Sequence, residues 1–547
     1  MTNNKFLILC RNIKIPVEFK SASFHDEKAI QKAKKIYLQK LQNKFGAVEF
    51  SVYKKSVDAR NKDRIVFVYT VCVVFKEDIN ILYVKENLPK DLELLEIKCP
   101  EFEFSGKTEL HRPVVAGFGP SGMFCAYALA KAGLSPIVVE RGSDVDTRNE
   151  KVDIYWKTGS LDTETNVQFG EGGAGTFSDG KLLTRISDPL SGYVLKLLNK
   201  HGAPDEILYL SKPHVGTDLL KKVVKSIRRE IVELGGTVMF DSKLTDIKTN
   251  SCGEIISVRI NDSFDIQCSA LFLCIGHSAR DTFSLIMKKE IDIKPKPFSV
   301  GVRAEHLQSD ISNSLYGKYA QCDALEKAQY TLSAKSGKRG VYSFCMCPGG
   351  IVVASASDKD EIVTNGMSYY NRDGKNANSA IAVSVELSDF GGTVEGAIGF
   401  QKNIEKAAFT LGGNNATAPI QLLGDFLDGN GKLTEPGKVL PTYTGKTSLC
   451  DISKVFPDFI NETLRFGFNQ FEKNITGFSD RNAVLTAPET RTSSPVRIER
   501  SVSGMVSVSC ANLYPCGEGA GYAGGITSAA VDGLKCAISY LQSIKEN

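Results

Sequence analysis

The chain has 547 residues and a mass of 59.6 kDa, which predicts two or three domains rather than one small module. Hydrophobic residues make up 42% and charged residues 24%, so a disordered chain and a coiled coil are excluded. The apolar runs fall well short of the roughly 18 residues that a membrane-spanning helix needs, and the net charge of +4 gives no global attraction to nucleic acid.

Residues 1–105 alternate strand and helix patterns and predict a small N-terminal α/β domain. Phe6 to Cys10 is apolar, His25 to Phe45 has helical spacing, and Val48 to Tyr53 and Ile65 to Phe75 are rich in β-formers. Residues 1–100 carry 19 Lys and Arg against 12 Asp and Glu, which leaves 48 against 51 for the remainder. This basic surface has two interpretations, a solvated face or a contact for an acidic partner such as RNA.

Cysteine usage and the first residues predict a cytoplasmic protein. The start MTNNKFLILCRNIKIP has too short an apolar run for a signal-peptide core and no small-residue cleavage site. The 14 cysteines are scattered, except for Cys345 and Cys347, and predict reduced thiols rather than a disulfide framework.

Residues 113–140 have the pattern of a dinucleotide-binding unit. A short apolar strand precedes a GxGxxG turn, a helical segment runs to Gly133, and a second apolar strand ends at Glu140. The turn glycines permit a tight turn, close approach to a pyrophosphate and close packing of helix on strand, and they are Gly117, Gly119 and Gly122. A carboxylate at the position of Glu140 suits the ribose hydroxyls of FAD or NAD and disfavours a 2′-phosphate.

Two further segments match the same glycine spacing without its context. They are Gly170 to Gly175 and Gly519 to Gly524, and neither combines the preceding strand, the helix, the second strand and the carboxylate. We therefore predict that neither is a second Rossmann turn.

Later elements resemble the FAD-binding fold of the glutathione reductase superfamily. A long helix is predicted from Thr217 to Gly236, strands over Thr237 to Ile247 and Ile255 to Ile260, and a strand that ends at Gly276. From Asn512 a strand, a turn at Gly517 and Glu518, and a terminal helix follow. Many members of that superfamily have Gly-Asp at this late turn, where this chain has Gly-Glu.

Longer motifs resemble one particular family, the uncharacterised bacterial FAD-dependent, nominally NAD-utilising dehydrogenases. The resemblance covers nearly the whole chain and includes SVDAR at Ser56 to Arg60. Its other motifs are NVQFGEGGAGTFSDGKLLTR (166–185), KPHVGTD (212–218), GHSARDT (276–282), SFCMCPGG (343–350) and YPCGEGAGYAGGITSAAVDG (514–533).

The resemblance implies FAD as cofactor, with NADH or NADPH as a diffusible co-substrate. It places Gly172, Gly173 and Gly175 against the flavin or its pyrophosphate, which suits residues without Cβ atoms, and the alternative is a surface loop around FSDG. The cofactor-binding residues expected from the motifs are Gly117, Gly119, Pro120, Ser121, Gly122, Glu140, Arg141, Gly172, Gly173, Gly175, Thr176, Leu244, Gly276, Gly517, Glu518, Gly524, Gly525 and Ile526.

Candidate catalytic residues are fewer. No CxxC occurs, which disfavours a flavoprotein disulfide reductase, and no second strand-GxGxxG-helix unit lies between Ile247 and Gly517. Cys345 and Cys347 are predicted on one strand of a hairpin with Ile351 to Ala356, with both sulfurs on one face, which suits core packing, thiol chemistry or half a metal site. No metal site is predicted.

Three polar residues inside the motifs are candidates for proton or charge chemistry. His214 precedes a helix start and His277 follows the strand-ending Gly276, so each is a candidate acid or base or a backbone hydrogen-bonding residue. Lys181, directly after FSDG, is a candidate cation for stabilising a reduced, anionic flavin.

Together these patterns predict a Rossmann-like, discontinuous FAD-binding domain in an α/β chain. Its parts are residues 111–295 and 488–547, and residues 296–487 form an inserted mixed α+β substrate domain. The predicted function is an FAD-dependent dehydrogenase that transfers hydride at flavin N5 to or from an unidentified small molecule. The alternatives are a flavin monooxygenase and an RNA-binding or tRNA-modifying flavoprotein.

Overall fold

The computed structural model describes residues 6–41, 48–75, 80–90, 92–97 and 111–546. The last residues of the predicted N-terminal domain, 98–105, lie outside the described residues. None of the helices in these ranges is both long and apolar enough to cross a membrane.

The N-terminal elements form one antiparallel sheet with two helices. They are β1 (Phe6–Pro16), α1 (Ala22–Leu41), β2 (Val48–Asp58), β3 (Val66–Phe75), α2 (Ile81–Asn87) and β4 (Leu92–Glu96). The strand order β2-β3-β1-β4 interleaves two split βαβ units, the ferredoxin-like arrangement. Ala29, Ala33 and Tyr37 recur at helical spacing and bury one side of α1 against this sheet. The alternation predicted here is confirmed, but every strand pair is antiparallel.

The next part of the chain contains the elements around the GxGxxG turn. They are β5 (Val114–Ala116), α3 (Pro120–Lys131), β6 (Ile137–Val139), α4 (Val145–Thr158), α5 (Leu190–Lys200), α6 (Thr217–Glu233), β7 (Thr237–Met239), β8 (Leu244–Thr249), β9 (Ile255–Ile260), β10 (Phe264–Gln267), β11 (Leu271–Leu273), α7 (Arg280–Lys288) and β12 (Ile293–Pro295). The single strand predicted over Thr237 to Ile247 is wrong, because β7 joins one sheet and β8 another.

The remaining elements run to the end of the described chain. They are β13 (Phe298–Leu307), α8 (Gln308–Tyr316), β14 (Ser333–Ser336), β15 (Arg339–Cys347), β16 (Ile351–Ala354), β17 (Thr364–Met367), β18 (Asn376–Val385), α9 (Val394–Leu411), β19 (Thr417–Leu422), α10 (Leu423–Asp428), β20 (Lys446–Leu449), α11 (Asp458–Glu472), β21 (Val484–Glu489), β22 (Val496–Ile498), β23 (Leu513–Pro515) and α12 (Ile526–Glu546).

A five-stranded parallel sheet, in the order β23-β11-β5-β6-β7, confirms the predicted Rossmann-like fold. Its strands are short and mostly apolar. Helices α3, α6 and α12 cover one face of the sheet, and strands β8 and β9 with helix α7 cover the other. Helix α3 is buried from Ser121 to Ala130 and packs against α12. Chain order reverses between the neighbours β5 and β11, and a crevice at such a switch point is where open α/β sheets bind ligands.

Residues between β12 and β22 form the seven-stranded sheet β14-β15-β18-β13-β21-β19-β20. Strands β12 and β22, which precede and follow this segment, pair antiparallel. The two ends of the segment therefore lie side by side. The predicted hairpin of β15 with residues 351–356 is wrong. Strand β15 pairs with β14 and β18, whereas β16 pairs with β17.

Candidate functional site

A cleft of about 320 Å³ opens where β5, β6 and β11 end, at the switch point of the parallel sheet. One wall is formed by the turns that follow these strands, and the other by residues of β15, β17 and β21 and of the segment after β21. Of the predicted cofactor-binding residues, those that line the cleft are Gly117, Gly119, Pro120, Ser121, Glu140, Arg141, Gly173, Gly175, Leu244, Gly276, Glu518, Gly524, Gly525 and Ile526.

The turn after β5 has no room for side chains. Gly117 has φ +100°, and a Cβ there would lie 2.3 Å from the carbonyl oxygen of Cys274. A Cβ on Gly122 would lie 1.9 Å from the carbonyl oxygen of Gly117, which fixes helix α3 tightly on the strand. No side chain caps the start of α3, so N–H groups of its first turn remain for an anion in the cleft.

Glu140, at the end of β6, holds the backbone around the cleft. Its Oε2 accepts from the N–H of Phe118 at 2.7 Å. Its Oε1 accepts from the N–H groups of Gly142 at 3.0 Å and Gly170 at 2.9 Å. Glu140 therefore ties the first glycine turn to the second glycine-rich loop, a role that its sequence position did not indicate, while it also lines the cleft.

The second glycine-rich loop lies directly against the first. Gly173 and Gly175 line the cleft, and a Cβ on Gly173 would lie 2.9 Å from Cα of Gly119. Gly172 and Thr176 lie behind this surface rather than on it, because a Cβ on Gly172 would meet the Thr176 hydroxyl at 2.1 Å. The Thr176 carbonyl accepts from the Thr217 hydroxyl at 2.6 Å, which anchors the loop to α6.

The turn after β23 forms the third backbone contribution. Gly517 is buried, has φ +74° and donates its N–H to Asp532 at 2.7 Å, so it supports the turn without lining the cleft. Glu518 does line the cleft, and burial raises its pKa to about 7 while the charge of Lys296 opposes that rise. Sequence reasoning missed Asp532, which also binds Arg500 and lies a full turn inside α12.

The opposite wall comes from residues that are far apart in the chain, and of its members only Cys345 was a candidate from the sequence. Its members are Phe344, Cys345, Asn365, Glu489, Arg491 and Thr492. Behind them, the fully buried Arg303 donates two hydrogen bonds to Glu489, at 2.8 and 2.6 Å, and one to the carbonyl of Cys345 at 2.9 Å. Burial lowers the pKa of Arg303, but the charge and hydrogen bonds of Glu489 and the nearby Cys347 and Cys345 together outweigh burial, so the net change is upward.

Lys181 and His277 reach the cleft. The Lys181 ammonium binds Asp179 at 2.6 Å and donates to the carbonyl of Met346. His277 contacts the hydroxyl of Ser278 at 2.9 Å through Nδ1. Burial, reinforced by the positive charges of Arg491 and Arg280, lowers the pKa of His277 to about 4, so its ring is neutral at pH 7.

His214 does not line the cleft. Its Nε2 donates to the carbonyl of Tyr370 at 3.0 Å and its ring stacks on that tyrosine, with centroids 5.6 Å apart. Burial, then the charge of Arg372, lowers its pKa to about 3. Its segment pairs with the backbone at Lys181, so the structure gives this part of the motif a supporting position behind the FSDG loop.

Cys345 occupies an irregular point in β15. The register with β18 slips by one residue between Phe344 and Cys347, which is a β-bulge, and Cys345 has φ +44°. A non-glycine residue in that region costs of order 1–3 kcal/mol and persists only where its surroundings hold it. The strand alternation that predicted the direction of the two sulfurs is therefore broken at this pair.

A buried charge cluster lies behind His277. Arg280 and Arg491 both bind Glu405, at 2.9 and 3.1 Å, and both approach Glu361, at 3.1 and 3.4 Å. Burial and the adjacent charge of Glu405 raise the pKa of Glu361 to about 8. The cluster therefore holds a proton at neutral pH and fixes Arg491 at the cleft wall.

These features fit FAD. The glycine contacts leave space for a pyrophosphate at the start of α3, the switch point places the cleft where nucleotides bind, and Glu140 stands at the end of the second strand. Residues 297–492, which carry the opposite wall, match the family model "FAD-dependent protein, C-terminal domain-like". The site and this match define a Rossmann-type FAD-dependent protein.

The chain is 48% identical over 509 residues to a Clostridium beijerinckii protein described as an uncharacterized protein, covering 92% of this chain and 94% of the relative. It belongs to the same family as that clostridial protein.

Two solved structures show a partial likeness to this chain. A geranylgeranyl bacteriochlorophyll reductase-like protein from Thermoplasma acidophilum is 11% identical, with 80% of this chain and 79% of that chain covered and a TM-score of 0.34. Halogenase PltM in complex with phloroglucinol and FAD is 10% identical, with 80% and 70% covered and a TM-score of 0.37. TM-scores at this level carry no information about the activity of this chain.

Proposed function

We propose that this protein is an FAD-dependent oxidoreductase that dehydrogenates or reduces a small molecule, with NADH or NADPH as the diffusible electron partner. One observation carries the proposal: the glycine-lined cleft at the switch point faces a second wall of polar and charged side chains. A cofactor bound along the glycine side would leave the second wall for a substrate. Bound FAD would supply hydride transfer at its N5 atom.

One set of residues in the cleft would bind the cofactor, and another would face the substrate. The uncapped first turn of α3 and the Cβ-free surface at Gly119 and Gly173 would bind the pyrophosphate. Glu140 would accept from ribose hydroxyls with its remaining lone pairs while it keeps the two glycine loops together. These groups bind and orient the cofactor without taking part in proton transfer.

Lys181, which directly follows FSDG, supplies a fixed positive charge at the cleft. Asp179, which is itself buried and bound by Arg372, holds the ammonium at the cleft surface. A cation held in this way stabilises negative charge that develops on a reduced ring system or on a substrate. His277 is neutral at pH 7 and serves as a hydrogen-bonding group there rather than as an imidazolium acid.

The electron partner would enter the same cleft as the substrate. Between Ile247 and Gly517, all of which the structure describes, the one parallel strand pair outside the five-stranded sheet is β19 with β20, and no strand-glycine turn-helix unit follows either strand. A nicotinamide nucleotide would therefore have no separate Rossmann site in this part of the chain and would alternate with the substrate.

The test is an anaerobic visible spectrum of the purified protein before and after addition of NADH and then NADPH. We expect an oxidised-flavin band near about 450 nm that one of the nucleotides bleaches. A purified protein without that band, after reconstitution with FAD, would contradict the cofactor assignment. A band that neither nucleotide bleaches would contradict the electron partner alone, and release of peroxide with a hydroxylated product would indicate monooxygenase chemistry instead.

A further inference from the structure

Cys345 and Cys347 form a pair of thiols at the edge of the cleft. Cys345 is half-buried and lines the cleft, whereas Cys347 is buried directly behind it. The Cys347 thiol donates to the carbonyl of Cys345 at 3.3 Å. Two cysteines can form a disulfide only when their backbones are close, and this pair is separated by one residue at a β-bulge.

The surroundings of Cys345 favour its thiolate. The hydrogen bond from Cys347 is the largest cause, and the charges of Arg303 and Lys181 add to it, so the pKa of Cys345 falls to about 6. Cys347 keeps its proton, because the interaction with Cys345 and burial raise the pKa of Cys347. One activated thiolate beside one protonated thiol is the arrangement that thiol-disulfide chemistry requires.

The backbone at Cys345 has a conformation that residues other than glycine rarely adopt. Cys345 has φ +44° although its side chain is not glycine, and Arg303 clamps its carbonyl at 2.9 Å. Strained residues of this kind cluster at functional sites. In the described part of the chain, no three His, Cys, Asp or Glu side chains are grouped to hold a metal ion, so the pair is not half of a visible metal site.

We propose that Cys345 and Cys347 are an internal redox couple that exchanges an electron pair with the FAD of the proposed oxidoreductase. Counted from two thiols, both S–H bonds break, one S–S bond forms, and the two electrons and two protons pass to the bound FAD. In the reverse direction, reduced FAD returns them and the disulfide opens. The inference rests on the proposed cofactor site, because FAD is the oxidant.

Trypsin gives a direct measurement of the couple. Cleavage after Arg339 and Lys359 releases residues 340–359, a peptide that contains Cys345 and Cys347 and no other cysteine. The holoprotein is oxidised with ferricyanide, which is then removed, and it is denatured in N-ethylmaleimide. A second sample is reduced anaerobically with dithionite before the same treatment.

We expect the peptide from the oxidised protein to be unlabelled and lighter by two hydrogens than the dithiol, and the peptide from the reduced protein to carry two maleimides. The wild-type protein should also consume one electron pair more than its FAD content in an anaerobic dithionite titration. Two maleimides on the peptide from the oxidised protein would overturn the proposal.

The matched variants are Cys345→Ser and Cys347→Ser, with Cys252→Ser, an exposed cysteine, as control. Each variant of the pair should keep the flavin band and lose the extra electron pair, whereas the control should keep both. A Cys347→Ser variant that still consumes the extra electron pair would overturn the proposal.

The peptide measurement on the wild-type protein needs no variant, so misfolding of a variant leaves the test intact. A wild-type protein without a flavin band contradicts the proposed function. A flavin band with a fully labelled peptide contradicts only the redox couple.

Discussion

Gly119 and Gly173 lie back to back, so that a Cβ built on Gly173 would stand 2.9 Å from Cα of Gly119. The first belongs to the GxGxxG turn and the second to a loop more than 50 residues further on. Gly173 could not carry a side chain without separating the two loops, whereas a Cβ on Gly119 would meet Cα of Gly173 at an ordinary contact distance of 3.7 Å. The cofactor side of the cleft is therefore one surface built from two glycine-rich segments and tied by Glu140.

Gly173→Ala should abolish retention of FAD. Gly173 combines φ +62° with ψ −167°, a region essentially reserved for glycine, so alanine adds about 1–3 kcal/mol of strain besides the contact with Gly119. The measurement is the ratio of flavin to protein absorbance after gel filtration. Gly192→Ala is the control, because a Cβ there meets nothing within 4 Å, and this variant should retain FAD fully.

Glu140→Gln should weaken both the fold and cofactor binding. The amide group replaces one acceptor oxygen by a donor that faces backbone N–H groups, which leaves at least one buried N–H without a partner and costs about 1–3 kcal/mol. We expect a lower urea midpoint of the apoprotein and a weaker FAD affinity. An unchanged midpoint would show that Glu140 does not hold these loops.

Features that depend on neighbours in the chain could be predicted from the sequence. The strand, glycine turn, helix and carboxylate of residues 113–140 lie in one local unit, and the structure places them as β5, α3 and β6. The late Gly-Glu turn and terminal helix are similarly local. The parallel sheet could be inferred from these units because βαβ connections are right-handed and usually place their two strands side by side.

The opposite wall could not be predicted because its residues come from different strands. Asn365, Glu489 and Arg491 carry no shared spacing, and they come from β17, from β21 and from the segment after β21, which only the tertiary fold brings to one cleft. The bulge at Cys345 was missed for a related reason, since one extra residue in β15 is visible only against its partner β18. His214 lies in a specific motif, yet it supports a loop from behind.

The ion pair of Arg303 with Glu489 should show strong coupling. Arg303→Met leaves the Glu489 carboxylate buried without its partner and should lower the free energy of unfolding by about 3–5 kcal/mol. The double variant Arg303→Met/Glu489→Gln removes both charges and should recover a substantial part of that loss. The measurement is a double-mutant cycle, in which urea unfolding gives the free energy of unfolding of the wild type, both single variants and the double variant. A loss in the double variant that equals the sum of the two single losses would contradict the coupling.

Part of the decrease in folding stability at acidic pH should come from His214. Its pKa is lowered to about 3 in the folded protein, against about 6.5 in an unfolded chain, so the unfolded state binds more protons between these values. The neutral ring therefore contributes stability that is fully present above about pH 6.5 and is lost as the pH falls toward about 3. Between these two pKa values, the free energy of unfolding decreases by up to about 1.4 kcal/mol for each unit by which the pH falls.

His214→Gln removes this titration and keeps an amide N–H that can donate to the carbonyl of Tyr370. Urea unfolding near about pH 7, 6 and 5 should show a shallower loss of free energy for this variant than for the wild type. His111→Gln, the same change at an exposed histidine, is the control and should follow the wild-type slope. Equal slopes for His214→Gln and the wild type would mean that the His214 ring can become charged inside the folded protein, which its contacts with Tyr370 and its nearness to Arg372 oppose.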